Sequence, residues 1–158
     1  MNKPIAALLA SVLMLAGAAH AQNTAATPAT PSAAASAPSS DNAAAVKAAT
    51  EAATRWLALV DADKWDETWN QLAAAGQSAV PKAGWSSGMA EMRQGIGKVQ
   101  SRKLQSADFT RNVPGAPAGE YVVIRYASDF ANKPGSAEMV VPMKQPDGSW
   151  KVSGYFVR

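Results

Sequence analysis

The chain has 158 residues, of which 47% are hydrophobic and 17% charged, with a formal charge of +3, no cysteine and one histidine, His20. The missing cysteine excludes a disulfide framework, a thiol nucleophile, a thiolate metal site and a lipid-carrying N-terminal cysteine. Any zinc, haem or histidine-based chemistry therefore depends on whether His20 stays in the mature protein.

His20 is expected to be lost. Lys3 and the free amine form a short positive region, Ile5 to Leu15 is an apolar run broken only by Ser11, and Ala19 and Ala21 place small residues at both cleavage subsites. This reads as a signal peptide over residues 1–21, cut between Ala21 and Gln22, which places the protein in the periplasm or outside the cell. The apolar run falls short of the ~20 residues that span a bilayer, so no membrane anchor is expected after cleavage. Residues 22–45 are almost wholly Ala, Thr, Ser and Pro, with Asp41 the single charge. Without large apolar side chains such a stretch cannot offset the entropy of ordering and reads as a disordered tether. Every Trp, Tyr and Phe lies at or beyond Trp56, so residues 46–158 are expected to form a single folded domain.

Within that domain the hydrophobic period changes once. Val46, Ala49, Ala53, Trp56, Leu57 and Val60 fall at helical spacing behind the cap candidates Ser40 and Asp41, predicting a helix that runs to about Val60. Asp63 caps a predicted second helix carrying Trp65, Trp69 and Leu72 and closing at Gly76. Pro81 suits the first turn of a third, in which Trp85, Met89, Met92 and Ile96 repeat the spacing and Gly95 and Gly97 end it. From Val99 the chain alternates with period two. Strands are predicted near Val99 to Thr110, Glu120 to Phe130, Ala137 to Lys144 and Ser149 to Arg158. Turns fall at Asn112 to Gly119, Asn132 to Gly135 and Gln145 to Gly148. The fold class is α+β: N-terminal helices packed on a curved antiparallel β-meander of about four strands.

Most local motif matches dissolve on inspection. Gly84-Trp85-Ser86-Ser87-Gly88 has the G-x-S-x-G form of a hydrolase nucleophile, but it lies inside a predicted helix with no histidine to act as base. Gly95-Ile96-Gly97-Lys98 lacks the remaining residues of a phosphate loop and reads as a helix end. No loop has the carboxylates that calcium needs, so neither metal nor cofactor is expected. Lys98, Arg102, Lys103 and Arg111 form a basic stretch read as a solvated edge strand protected by charge, and no nucleic-acid partner is expected.

The strand faces give the candidate site. With a four-residue turn over Gln145 to Gly148 and a symmetric turn over Asn132 to Gly135, one face carries Ile124, Tyr126, Phe130, Ala137, Val141, Met143, Trp150, Val152 and Phe156 and packs on the helices. The other carries Asp129, Glu138 and Tyr155 in one row, with Arg125 and Lys151 two rows away. A bulged turn with Gly148 left-handed would shift the last strand by one and exchange its faces. A working version of the polar face pairs Asp129 with Glu138 as carboxylates and uses Tyr155 as hydrogen-bond donor. A bland version is a wet sheet face with scattered ion pairs.

The helix from Trp56 to Asp61, Trp65, Trp69, the segment GAPAGEYVVIRYASDFANK (Gly115 to Lys133) and the terminal DGSWKVSGYFVR (Asp147 to Arg158) resemble an uncharacterised bacterial family, domain of unknown function 4019. The order of helices and meander also looks like the nuclear transport factor 2-like, cystatin-like cone, whose enzymes use Asp and His at a pocket. That resemblance assigns no catalytic residue here, because the mature chain has no histidine to match. The expected function is a non-enzymatic periplasmic module that binds a small ligand or an envelope protein, with a homodimer open to it. The alternative is a small lyase or isomerase with Asp129 or Glu138 as base and Tyr155 or Arg125 stabilising an oxyanion.

Overall fold

In the computed structural model, which describes residues 40–158, the first helical stripe forms α1 (Ser40–Asp61), beginning within residues 40–45 of the stretch read as tether. The signal cleavage at Ala21–Gln22 and the rest of that stretch lie outside the described residues. Ala49, Ala52, Ala53, Trp56, Leu57 and Val60 make the buried face of α1, as their 3.6-residue spacing requires. Next come α2 (Trp65–Asn70), α3 (Ala74–Ala79) and α4 (Lys82–Ile96). The predicted second helix is thus two: α2 stops at Asn70, and Gly76 lies inside α3 rather than ending a helix. Gly97 does end α4, at φ +80°, where an added Cβ would lie 2.9 Å from that of Ala131.

Tryptophans tie the helices together with both rings and indole N–H groups. Trp56 donates to the Thr68 carbonyl at 3.0 Å, Trp85 to the Thr68 hydroxyl at 2.9 Å and Trp69 to the Val80 carbonyl at 2.8 Å. The Thr68 hydroxyl in turn donates to the Trp65 carbonyl, so the wholly buried Thr68 has no orphaned polar atom.

The sheet is a meander, β1 (Val99–Thr110), β2 (Tyr121–Phe130), β3 (Lys133–Lys144) and β4 (Trp150–Val157), with strand order β1-β2-β3-β4 and every pair antiparallel. Val122, Ile124, Tyr126, Val140 and Val152 pack on Trp56, Leu57, Val60 and Leu72 to form the core between the layers. Ala73 donates to the Val152 carbonyl at 2.8 Å, so the link between α2 and α3 covers part of the β4 edge.

Four bulges interrupt the ladders and set which side chains face that core, and two of them overturn the expected register. Phe130 pairs with Lys133 rather than Ala137, and Tyr126 with Glu138 rather than Val141. The turn is tight, and Pro134 and Gly135 lie inside β3 opposite the single residue Asp129. Gly135 sits at φ +68° and donates its N–H to Asp129 Oδ1 at 2.8 Å. A second bulge adds Ser153 to β4 opposite Val141 and Pro142. Pro142 has no N–H for the ladder in a central strand, and a bulge is where such a residue is accommodated. Trp150 and Val152 precede the bulge and stay on the helix side. Beyond it the faces exchange, so Tyr155 turns inward and Phe156 outward, 47% exposed. Val141 and Met143 likewise leave the predicted inner face to Glu138, Val140 and Pro142. The other two, at Gln100 and Gln105, bend the edge strand β1.

Trp150 is only partly buried against the core, and Lys151 is exposed. Trp150→Ala is therefore expected to cost about 2 kcal/mol and Lys151→Ala less than about 0.5 kcal/mol, read from urea unfolding midpoints. The reverse order would mean that the strand is offset by one residue.

Candidate functional site

The inner face of the sheet is apolar except at one end, where a charged network fills the space between the layers. Glu138 on β3 has a side chain with no solvent exposure. Arg102 on β1 grips it with two contacts, Nε to Oε2 at 2.6 Å and Nη2 to Oε1 at 3.0 Å. Ser128 on β2 donates to Oε2 at 2.7 Å and Tyr155 on β4 donates to Oε1 at 2.8 Å. Four strands therefore aim one side chain each at the same point.

The helices supply the rest. Asp61, the last residue of α1, accepts from Arg102 Nη1 at 2.8 Å, from Arg102 Nη2 at 3.1 Å and from Arg93 Nη2 of α4 at 2.8 Å. Two carboxylates and two guanidinium groups cancel in charge, which is the condition for withdrawing four ions largely from water. Arg93 Nη1 is buried with no hydrogen-bond partner, and the guanidinium carbon lies 5.4 Å from the centroid of Phe130, whose ring face partly replaces one.

Burial pushes the Asp61 carboxyl upward, but the hydrogen bonds and charges of Arg102 and Arg93 outweigh it and hold the group below its ordinary value of 3.8. For Tyr155, burial and the adjacent Glu138 act together and drive the phenol far above its usual range, so it is a donor at any physiological pH. Because Asp61 is depressed on folding, its stabilisation is complete above the ordinary aspartate range and is lost as pH falls through the folded-state value. The melting temperature is expected to drop on acidification below about pH 4, and by less in Asp61→Asn. A wild-type profile parallel to that of Asp61→Asn would show that the arginines do not hold this carboxylate.

Of the five predicted residues, the structure brings Glu138 and Tyr155 together and leaves the other three apart. They were expected on one face with Arg125, Asp129 and Lys151, but the bulges at Gly135 and Ser153 turn Glu138 and Tyr155 inward. Arg125 pairs with Asp108 at 3.0 Å on the outer face, both more than half exposed. Asp129 is held by the Gly135 N–H and, at 2.8 Å, by the Ser101 hydroxyl, in that order the causes of its lowered pKa. Lys151 is solvated beside Met143.

Asp61, Arg93, Arg102 and Ser128 were not predicted. Arg102, part of the expected solvated edge, instead points inward, its side chain 17% exposed. A sequence signal for the helical members existed: Asp61 stands one turn beyond Leu57 and Arg93 one turn beyond Met89, charges where the apolar stripes would continue. The G-x-S-x-G match lies within α4, where Ser86 donates to Asp66 Oδ1 at 2.6 Å, so no strand-to-helix elbow exists. Among the described residues, no group of His, Asp or Glu gathers as a metal site, and no helix is long and apolar enough to cross a membrane.

Helices on one face of a four-stranded antiparallel meander, with a charge-balanced network between the layers, define a two-layer α+β domain. The chain belongs to the family described as Protein of unknown function (DUF4019), whose model matches residues 52–155. A 2.5 Å structure from Catenulispora acidiphila is similar at 14% identity and a TM-score of 0.48, covering 75% of this chain and 93% of that one. No curated protein matches significantly.

Proposed function

We propose that this chain is an exported, non-enzymatic binding module. The observation that carries the non-enzymatic part is the saturation of Glu138. A general base must offer a free lone pair within about 3 Å of a substrate proton. Glu138 instead takes four donors inside a space without solvent contact. Asp129, the other candidate base, is tied to Gly135 and Ser101 and has a lowered pKa, which weakens it as a base. Arg125 and Tyr155, the oxyanion candidates, lie on opposite faces of the sheet. Binding is supported by Leu104 and Phe156, large apolar side chains left 50% and 47% exposed. Export rests on residues 1–21, and the cone-type reading of the fold rests on the order of elements alone.

The test is a thermal-shift screen of the purified protein against small envelope compounds, with mass spectrometry of each mixture afterwards. At least one compound should raise the melting temperature saturably and be recovered unchanged. A compound converted by wild type but left intact by the surface variant Asp129→Asn would establish an enzyme instead.

A further inference from the structure

We propose that the groove between α1 and β1 binds a neutral amide carrying an apolar group. This rests on the binding-module reading and assigns that module a site and a ligand class. The groove encloses about 440 Å³, within the range of small-ligand pockets. One wall is a single stripe of α1, Thr50, Thr54, Leu57, Ala58 and Asp61, and the facing wall is Arg102, Leu104 and Tyr126. Leu104 lies on the helix-facing side of its strand, opposite Tyr126, yet is half exposed. The described helices thus cover this inner-face apolar side chain only in part.

The floor fixes the chemistry. Of the five N–H groups of Arg102, Nε–H and one on Nη2 go to Glu138, while the other on Nη2 and one on Nη1 go to Asp61. One Nη1–H is unused. Asp61 Oδ1 accepts from both arginines, whereas Oδ2 accepts from Arg102 Nη1 alone. Oδ2 therefore keeps an acceptor site beside that unused donor, and the two atoms are 2.8 Å apart. In a bidentate carboxylate–guanidinium pair the unused hydrogen and the unused lone pair lie in the plane of the pair and point to the same side. A ligand that meets both must carry an acceptor and a donor side by side.

Net charge excludes the ionic alternatives. Asp61 and Glu138 balance Arg93 and Arg102, so a carboxylate meets Asp61 and an ammonium meets Arg102 with nothing left over to neutralise either. A neutral amide satisfies the pattern in two ways: a primary carboxamide, or the N–H and C=O of one extended peptide residue. Leu57, Ala58 and Leu104 supply apolar contact for a side chain attached to it.

The experiment is an NMR titration of the isotopically labelled full chain with N-acetyl-leucine N′-methylamide, which offers the peptide pattern, and 4-methylpentanamide, which offers the carboxamide. At least one should shift the amides of Thr54, Ala58 and Leu104 saturably with a Kd on the order of 1 mM, as the size of the probes sets. Which of the two binds identifies the source of the amide. N-acetyl-leucine, the charged analogue, should bind about tenfold more weakly, and Leu104→Ser should weaken the amide about tenfold with the fold retained. Equal binding of the carboxylate, indifference to Leu104→Ser, or no shift at the groove with either amide would overturn the assignment. Saturable binding of any compound at another surface would remove this groove and leave the module reading intact.

Discussion

Glu138→Ala is expected to cost about 3–5 kcal/mol, because truncation leaves its partners without their acceptor rather than because the ion pair is intrinsically strong. The wild-type carboxylate is fully buried and balances Arg102, which is only 17% exposed. Without it, Arg102 keeps Asp61 alone, and the Ser128 and Tyr155 hydroxyls lose the acceptor they share. Each orphaned buried donor adds a desolvation penalty of about 1–3 kcal/mol. On the outer face, Arg125→Ala breaks a pair whose members are both more than half exposed and should cost less than about 1 kcal/mol. Urea unfolding of the two variants checks the contrast, and similar losses would mean that the two faces of the sheet are wrongly assigned.

Trp56→Ala is expected to have an effect of similar size, about 3–5 kcal/mol, through lost packing. Trp56 is 1% exposed, meets Tyr155 edge-on with ring centroids 5.2 Å apart and lies 6.2 Å from Trp85. Its indole N–H also holds the Thr68 carbonyl of α2. Trp56→Phe keeps a ring but loses that hydrogen bond and part of the volume, so about 1–2 kcal/mol is expected. A Trp56→Ala variant with near wild-type stability would show that the helices do not rest on the sheet through this ring.

The element order was legible because the helical stripe ending at Val60 and the alternation beyond Val99 are strong periodic signals. Face assignment failed, because alternation is exact only while no residue is inserted. Pro142 marked one insertion, since a proline in a central strand needs a bulge, and Pro134-Gly135 marked the other while reading as a turn. Those two bulges decide whether Glu138 and Tyr155 face water or the helices. The ion network was half visible as charges on apolar stripes, at Asp61 and Arg93. That these two meet Arg102 and Glu138 depends on a three-dimensional closure between α1, α4, β1 and β3 that no local pattern encodes.

The central claim is that the charged network is a charge-balanced structural unit rather than a catalytic centre. A double-mutant cycle on Arg102→Met and Glu138→Gln, both close in shape to the residues they replace, tests it most directly. If the network is a charge-balanced structural unit, each single variant is destabilised, the double costs little more than one single, and the coupling is about 2 kcal/mol or more. Costs that add to within about 0.5 kcal/mol, together with a Glu138→Gln variant that melts above wild type, would contradict it and mark Glu138 as a strained carboxylate held for work.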